Sequence, residues 1–390
     1  MPLLLLAALL LALPATAHAR TFEISSAAAL TTAAGQAQAG DVLRLAAGTY
    51  RGTLRPLTSG TAANPIRLVA SGPGVVLDGG GAANAVKLIG VRSWRLEGVT
   101  ITGGVNQGVW IEGTQDVQLR GVTVTGNAGA GVQLRNAQGT TVADGTVSDN
   151  GSAGVMEDAG SRGTRIAGNR IERNGVAGGT YNGDGIQLGG TGATVIGNAL
   201  VGNGGAGLYE HGVYTGASSS GWTIAANAIS ASGGANIKAS GTGVVRDNHL
   251  DGGTHGLVLA SNPGTVEVTG NWLTGRSQHL VFVTTGARAR LTDNTIRQAG
   301  RAADSGDASA IFVKEAASLQ IASTTACYDN ADNLGVGLWI NNAAAVGTLS
   351  LDANRYCSRD TGGRHTAYNG SRVTADKWRS LTGDALSTFG

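Results

Sequence analysis

A short repeated pattern constrains this chain more than any other feature. Each copy has a turn residue, then Asn or Val, one variable residue and an aliphatic residue, as in Gly98-Val99-Thr100-Ile101. The aliphatic anchors of successive copies are Ile101, Val124, Val147, Ile171, Leu200, Ile229, Leu250, Leu273 and Ile296. Most neighbouring anchors are 21 to 24 residues apart, and two pairs are 29 apart. A span of this length holds three short strands and three turns but no crossover helix.

Such a repeat favours a solenoid. One coil cannot bury its own apolar side, whereas stacked coils bury a continuous core. Two-residue alternation within each strand points one side chain inward and the next outward. The composition, with 64 glycines and 4% aromatic residues, agrees with many tight turns and excludes a helical bundle or a disordered chain. We therefore predict an all-β, single-stranded right-handed parallel β-helix of about 10–12 coils.

Stacking places equivalent residues of successive coils in columns about 4.8 Å apart. One column is occupied by asparagine in six consecutive coils, and we predict that it forms a structural hydrogen-bonded ladder. Its members are Asn169, Asn198, Asn227, Asn248, Asn271 and Asn294. The same register brings Cys327 and Cys357, the two cysteines of the chain, onto neighbouring coils. In an oxidising compartment they would form a disulfide, and the alternative is two separate buried thiols.

The N-terminus has the features of a secretory signal peptide. An apolar run, Leu3–Leu13, precedes Ala17-His18-Ala19, which fits an A-x-A cleavage site. We expect residues 1–19 to be removed, the mature chain to begin at Arg20, and the protein to be secreted or periplasmic. The apolar run is too short to span a membrane, and no other stretch approaches the length of a membrane span.

Residues 20–390 are expected to form one domain. We predict an N-terminal cap over about 20–60, repeats over about 61–358 and a C-terminal cap over about 359–390. Ser25-Ser26 before a run of alanines predicts a capping helix from about Ser26 to Gln38, and Ala375–Leu381 is a second helical candidate. The formal net charge of +2 without a basic stripe argues against nucleic-acid binding.

Two segments near the N-terminus carry a family resemblance. The run from Ala39-Gly40-Asp41 to Gly48-Thr49-Tyr50, together with Ser59–Leu68, resembles the opening of the polysaccharide lyase family that includes chondroitinase B and many alginate lyases. The following coils resemble the wider pectate-lyase-like β-helix superfamily. The resemblance implies a β-helix over nearly all of the mature chain. For the lyase family it also implies a Lys base, an Arg on the next coil, and Ca²⁺ held by Asn and Glu.

The motifs for those catalytic residues are altered in this chain. The family's Lys lies in a K-S-x-x-N run and its Arg in an R-H-G run, whereas here Ala239 follows Lys238 and Thr254 precedes His255-Gly256. We therefore transfer no metal site from the family. No cofactor is assigned, and Ca²⁺ is left open.

The residues that point outward from the coils form two columns. One column reads Trp110, Gln133, Met156, Gln187, Tyr214, Lys238, Val258 and Trp339, and the other reads Ala130, Ala153, Asp184, His211, Ala235 and His255. Chemically capable side chains concentrate between Asp184 and His279. The two 29-residue spacings flank this region, and we expect longer loops at Val176–Asn182 and Thr215–Gly221 to wall a groove.

This face suits an anionic polysaccharide. A uronate carboxylate must be neutralised before its C5 proton can be removed, and Lys238, or His255 when charged, could do this. The base would be His211 or Tyr214, and the acid at the leaving oxygen would be Tyr214 or Lys238. The candidate catalytic residues are thus His211, Tyr214, Lys238 and His255. The candidate substrate-binding residues are Asp184, Gln187, Glu210, Asn236, Gln278, His279 and Trp110.

We expect an exported, monomeric, carbohydrate-active protein that cleaves a uronate-containing polysaccharide by β-elimination. Three alternatives remain open. The same residues without bond cleavage would make a uronate C5-epimerase, and a binding module or adhesin would use them for retention alone. A hydrolase is disfavoured because Asp184 has no paired carboxylate on its face. Each candidate residue also has a structural interpretation, as a strand cap, a turn residue or a solvated surface group.

Overall fold

The computed structural model describes residues 19–176, 183–205, 209–261, 264–300, 308–330 and 335–390. These residues form a parallel β-solenoid of about 14 coils with three long sheets. From the coil that ends in strand Asn84–Ile89 onward, the inner coils each contribute one strand to each sheet, and adjacent coils pair in parallel. The predicted fold class is confirmed. The expected coil number was too low because the coils at both ends lack the Gly-Asn turn from which the repeat was recognised.

Sheet 1 begins at the first described strand of the chain. Its strands are Thr21–Ile24, Val42–Leu45, Ile66–Ala70, Trp94–Glu97, Gln118–Arg120, Thr141–Ala143, Arg165–Ala167, Thr194–Ile196, Ser220–Ala225, Thr242–Arg246, Val266–Thr269, Ala287–Thr292, Ala316–Ala322 and Leu349–Asp352.

Sheet 2 carries the anchor residues of the repeat. Its strands are Gly48–Arg51, Val75–Asp78, Thr100–Thr102, Thr123–Thr125, Thr146–Ser148, Arg170–Glu172, Ala199–Val201, Ala228–Ser230, His249–Asp251, Trp272–Arg276, Thr295–Gly300, Thr325–Tyr328, Arg355–Ser358 and Thr388–Phe389.

Sheet 3 carries the predicted functional face. Its strands are Asn84–Ile89, Gln107–Glu112, Val132–Arg135, Val155–Glu157, Ile186–Leu188, Val213–Thr215, Ala235–Ala239, His255–Leu259, His279–Val283, Ala308–Val313, Gly335–Ile340, Thr366–Tyr368 and Ser371–Val373. The last strand pairs antiparallel with Thr366–Tyr368 and ends the parallel ladder.

The core is a stack of aliphatic side chains along the solenoid axis. The nine anchors from Ile101 to Ile296 lie in one register on sheet 2, each directly opposite the next. The column continues to Leu77 and Tyr50 at one end and to Ala326 and Tyr356 at the other. All of these side chains are buried, because alternation turns every second residue of each strand inward.

Both ends are capped by a helix. Helix α1, Ala27–Gln36, begins at the N-cap Ser26, whose Oγ accepts a hydrogen bond from Ala29 N, and its buried face includes Leu30. Helix α2, Ala375–Thr382, buries Trp378 against Tyr356 and Tyr368. A single 3₁₀ turn, Ala343–Ala345, lies on the surface. Among the described helices, none is both long and apolar enough to cross a membrane.

Polar ladders follow the turns. In the predicted asparagine column, each Nδ2 from Asn169 to Asn271 donates to the Oδ1 of the next asparagine at 3.0 Å. A second ladder, which the repeat alignment does not reveal, follows the turns between sheets 2 and 3. It consists of Asn127, Asn150, Asn174 and Asn203, joined at 2.9–3.0 Å. Near the C-terminus, Cys327 and Cys357 pair directly on adjacent strands of sheet 2 and form a disulfide.

The expected loops are only partly described. Residues 177–182 of the first loop lie outside the described residues, as does most of the predicted signal peptide. The second expectation is wrong, because residues 216–219 form a short turn in which Ser219 N donates to Gly216 O at 3.0 Å. The extra length instead precedes strand Val213–Thr215. The distance between anchors does not reveal which of the three turns of a coil holds the additional residues.

Candidate functional site

A cleft of about 330 Å³ opens on the outer face of sheet 3. It is lined by Tyr209, His211, Ala235, Lys238, His255, Val258, Ala260, Phe282 and Thr284. A larger depression of about 500 Å³ lies on sheet 1, but its one ionisable lining group, Glu267, is ion-paired with Arg290 at 3.1 Å. We therefore take the sheet 3 cleft as the candidate site.

Strand register positions the side chains of the cleft. Gln187, Tyr214, Lys238, Val258 and Phe282 pair in succession, one per coil, on the outward side of sheet 3. The residues on either side of Lys238, Ile237 and Ala239, are fully buried in the core. This alternation leaves the Lys238 side chain no direction but outward.

Lys238 lies beside an aromatic ring. Its Nζ is 5.3 Å from the ring centroid of Tyr214 on the preceding coil, and both side chains are half-buried. Among the described residues lining the cleft, Lys238 is the one lysine or arginine, and in the described part of the chain no ion pair includes it. Lys238 thus brings the cleft up to the phenol of Tyr214, which lies beside the lining residues on the preceding coil.

His211 lies deeper, with its ring held by the backbone. Its Nδ1 accepts a hydrogen bond from Ala235 N at 2.9 Å, and its Nε2 is buried with no hydrogen-bond partner in the described structure. Burial first, and then the charges of Lys238 and His255, lower the pKa of His211 to about 3. The ring is therefore neutral at neutral pH, and because Nδ1 is an acceptor, the proton resides on Nε2.

Asp184 lies one coil before His211 in the second column. Its Oδ1 accepts a hydrogen bond from His211 N at 2.6 Å, and its side chain is almost fully buried. Burial is the main cause that raises the pKa of Asp184 to about 7, and the neighbouring Glu210 adds to the effect. The backbone hydrogen bond and the charge of Lys238 act in the opposite direction.

His255 and His279 stack on successive coils at a ring-centroid distance of 5.8 Å. His255 Nδ1 lies 3.2 Å from the carbonyl oxygen of His279, and burial lowers the pKa of His255. His279 is buried against Phe312 at 4.3 Å, with Nδ1 3.1 Å from Ser309 Oγ, and burial lowers its pKa to about 3. Both rings are therefore neutral components of the wall at neutral pH.

The remaining predicted residues lie at or beyond the edge of the cleft. Gln187 is the neighbour of Tyr214, and the buried carboxylate of Glu210 accepts a hydrogen bond from Gly205 N. Asn236 is fully buried. It donates to the carbonyl oxygens of Asp251 and Gly252, at the end of strand His249–Asp251 and in the turn after it.

Two further predicted residues are more distant. Gln278 is exposed in the turn before strand His279–Val283. Trp110 belongs to the same outward column as Lys238 but lies several coils away, where its Nε1 donates to Glu112 at 3.0 Å.

Several lining residues were missed in the sequence. Tyr209 belongs to the unrepeated extra length before strand Val213–Thr215, so no column predicts it. Phe282 and Phe312 continue the outward column in register between Val258 and Trp339, and extending the alignment through these coils would have found them.

The carboxylates near the cleft are engaged by the backbone rather than grouped around a common centre. Among the described residues, no group of three or more His, Cys, Asp or Glu side chains is placed to hold a metal ion. The two carboxylates nearest the cleft, Asp184 and Glu210, each accept a backbone N–H instead. No step of the chemistry is drawn through a metal.

The fold defines a class of protein, the parallel β-helices. Residues 84–180 and 179–326 match the model of the right handed beta helix region family, so the chain belongs to that family. No curated protein sequence matches the chain at a significant level.

Several solved structures share the fold. An alginate lyase from Paenibacillus sp. str. FPU-7 superposes with a TM-score of 0.55 at 21% identity, covering 74% of this chain and 97% of the lyase. A mannuronic acid specific family 6 polysaccharide lyase from human gut microbiota has a TM-score of 0.65 at 15% identity, with 93% and 90% covered. The A-module of the Azotobacter vinelandii mannuronan C-5 epimerase AlgE6 has a TM-score of 0.55 at 14% identity, with 88% and 94% covered.

Proposed function

We propose that this protein binds an anionic polysaccharide in the sheet 3 cleft and cleaves it at a uronate residue by β-elimination. The observation that carries the proposal is the pairing of Lys238 Nζ with the Tyr214 ring, 5.3 Å apart on an open solenoid face. Proteins of the same fold that act on alginate and mannuronan support the substrate class.

Lys238 would neutralise the uronate carboxylate. The C5 proton of a uronate becomes removable when the negative charge that develops on the carboxylate is stabilised. Around Lys238 the cleft walls are neutral histidines and apolar side chains, including Val258 and Phe282. In such a weakly polar environment, an ion pair between the ammonium and a carboxylate is stronger than in bulk water.

Tyr214 is the proton carrier in this proposal because its ring lies beside Lys238. His211 is not suited to be the base, because Nδ1 is engaged by Ala235 N and Nε2 already holds a proton. As the phenolate, Tyr214 would take the C5 proton, the C5–H electrons would form the C4=C5 double bond, and the C4–O glycosidic bond would break. The leaving oxygen would then take the proton from Tyr214, which returns to the phenolate.

His211 would assist as a hydrogen-bond donor. Its buried Nε2–H has no partner in the described structure although the ring lines the cleft. A buried donor without a partner costs free energy, which a substrate oxygen would recover. On the two coils that follow Lys238, Val258 and Phe282 would contact the apolar face of the neighbouring sugar of the substrate.

The proposal predicts that Tyr214→Phe and Lys238→Gln each lower the rate of formation of the unsaturated uronate product about 100-fold or more. Tyr214→Phe should lower kcat at unchanged KM, because it removes the proton carrier and keeps the ring. Lys238→Gln should also raise KM, because it removes the partner of the substrate carboxylate. The measurement is ultraviolet absorbance of the product on alginate, pectate and glycosaminoglycans. Gln133→Ala, on the same column several coils away, is the matched control and should leave the rate unchanged.

Other outcomes assign other functions. Inversion at C5 without an unsaturated product, detected by proton NMR in deuterated water, would identify an epimerase. Retention on an anionic polysaccharide without turnover would identify a binding module. We further propose that the protein is exported and monomeric, which cell fractionation and analytical ultracentrifugation test directly.

A further inference from the structure

A second surface with an exposed aromatic pair lies on sheet 2, away from the cleft. Trp272 and His249 face each other in register on adjacent strands. Their rings stack with centroids 4.7 Å apart and an interplanar angle of 11°. Trp272 is 53% exposed, although one face of its indole is covered by His249.

The residues on either side of the pair are small. Ala228 precedes His249 in the column and Thr295 follows Trp272, and both are exposed. The stacked rings therefore stand out from the sheet, and the indole face toward Thr295 is uncovered. Because successive coils are about 4.8 Å apart, the space above Thr295 has room for one further ring stacked on the indole.

Two charged side chains, Asp251 and Arg297, lie near the aromatic pair on the outward side of sheet 2. Asp251 and Thr274, on the same outward side, are joined by a 3.2 Å hydrogen bond from Thr274 Oγ1. On the next coil, Arg297 is bound by both carboxylate oxygens of Asp329, at 2.9 and 3.2 Å. The charge nearest the rings is the Asp251 carboxylate, for which no ion pair is described, whereas the exposed Arg276 lies about 13 Å along the strand from Trp272. A carboxylate beside the rings disfavours an anionic sugar and can accept hydrogen bonds from the hydroxyls of a neutral one.

We propose that this surface, the Trp272 platform of His249, Asp251, Trp272, Thr274 and Thr295, binds a neutral pyranose ring of a polysaccharide. The apolar face of the sugar stacks on the open face of the indole above Thr295, and its hydroxyls donate to Asp251. The platform is distinct from the sheet 3 cleft, whose Lys238 suits an anionic sugar. It anchors the protein to a neutral polymer without taking part in cleavage.

The test is acrylamide quenching of tryptophan fluorescence, with neutral gluco- and manno-hexasaccharides as probes. Trp94, Trp222 and Trp378 are fully buried and Trp339 nearly so, hence quenching reports mainly on Trp272 and the half-buried Trp110. We expect a neutral hexasaccharide to protect the wild-type protein. Trp272→Ala should abolish the protection and weaken retention on an insoluble neutral polysaccharide about tenfold or more. His249→Phe should preserve binding, and Leu386→Ala, which removes another exposed apolar side chain, should have no effect.

Three results would overturn the proposal. The first is that no neutral hexasaccharide protects the wild-type protein, and the second is that uronate hexasaccharides protect Trp272 equally well. The third is self-association of the wild-type protein that Trp272→Ala abolishes, because this would assign the surface to a second copy of the chain. Lys238→Gln separates the two sites, because it should leave neutral-sugar binding unchanged whether or not the cleft is a lyase site.

Discussion

Two buried ionisable residues, His211 in the cleft wall and Asp184 bonded to its backbone, differ in how burial changes their charge. Burial raises the pKa of Asp184 to about 7 and lowers that of His211 to about 3. The loss of water opposes the charged form in both cases, and it therefore acts in opposite directions on an acid and a base. At neutral pH the histidine is neutral, whereas Asp184 is close to its midpoint. Lys238 is near enough to Asp184 to affect its ionisation.

The ionisation of Asp184 should control substrate binding. Above pH 7 the carboxylate is charged and competes with a uronate for Lys238, whereas below pH 7 it is neutral and Lys238 is free to bind substrate. We expect KM for an anionic polysaccharide to rise as the pH increases through about 7. Asp184→Asn should remove this rise, because it keeps the acceptor for His211 N without the charge. KM is measured against pH for the wild-type and Asp184→Asn proteins. A rise of KM in Asp184→Asn as large as that in the wild-type protein would contradict the assignment.

At the scale of single residues, sequence reasoning identified positions better than chemical states. Column alignment predicted that Tyr214 and Lys238 lie on adjacent coils, because register along a solenoid follows directly from repeat spacing. It did not predict the tautomer of His211, which depends on the Ala235 amide of the next coil. Nor did it predict that Asn236, within strand Ala235–Ala239, is buried and donates to the carbonyl oxygens of Asp251 and Gly252.

At the scale of elements, the two asparagine ladders hold the turns together. Each inner amide of the longer ladder accepts from one neighbour and donates to the next. It also donates to a carbonyl of the preceding coil, as Asn248 does to Ile224 O at 2.9 Å. Buried turns would otherwise leave backbone groups without partners. The ladder thus satisfies polar groups at the corners while the aliphatic anchors fill the core.

Asn248→Ala should destabilise the solenoid by about 3 kcal/mol, because it removes the acceptor of the buried Asn227 backbone N–H and the Asn248 Nδ2 bonds to Asn271 and Ile224. The effect should appear as a lower Tm in thermal unfolding followed by circular dichroism. Asn106→Ala replaces an exposed asparagine and serves as the control, with little expected change. Equal Tm values for the two variants would show that the ladder contributes nothing beyond turn propensity.

At the scale of the whole molecule, each coil contacts mainly its neighbours, so stability is local along the axis. The Cys327–Cys357 disulfide joins two coils near the C-terminus, where helix α2 closes the stack. The cleft lies several coils away, around strand Ala235–Ala239. A perturbation at the disulfide is therefore expected to remain at that end.

Replacing both cysteines, Cys327→Ser with Cys357→Ser, should lower the stability of the C-terminal coils by about 2–4 kcal/mol. Hydrogen exchange followed by mass spectrometry should show faster exchange in Thr325–Tyr328 and Arg355–Ser358. Exchange in Ala235–Ala239, and turnover in the cleft, should stay as in the wild-type protein. An equal rise in all three strands would show that the solenoid unfolds as one cooperative unit.

The sequence alone predicts the solenoid, its register and most of the outward column, without Phe282 and Phe312. These depend on spacing and alternation, which are local properties repeated along the chain. The tertiary structure decided where the extra residues of the long coils lie, that Phe282 and Tyr209 line the cleft, and that the buried histidines are neutral. It also revealed the Trp272 platform on sheet 2. Burial, hydrogen bonding and cleft shape arise from contacts between coils, and no single repeat contains that information.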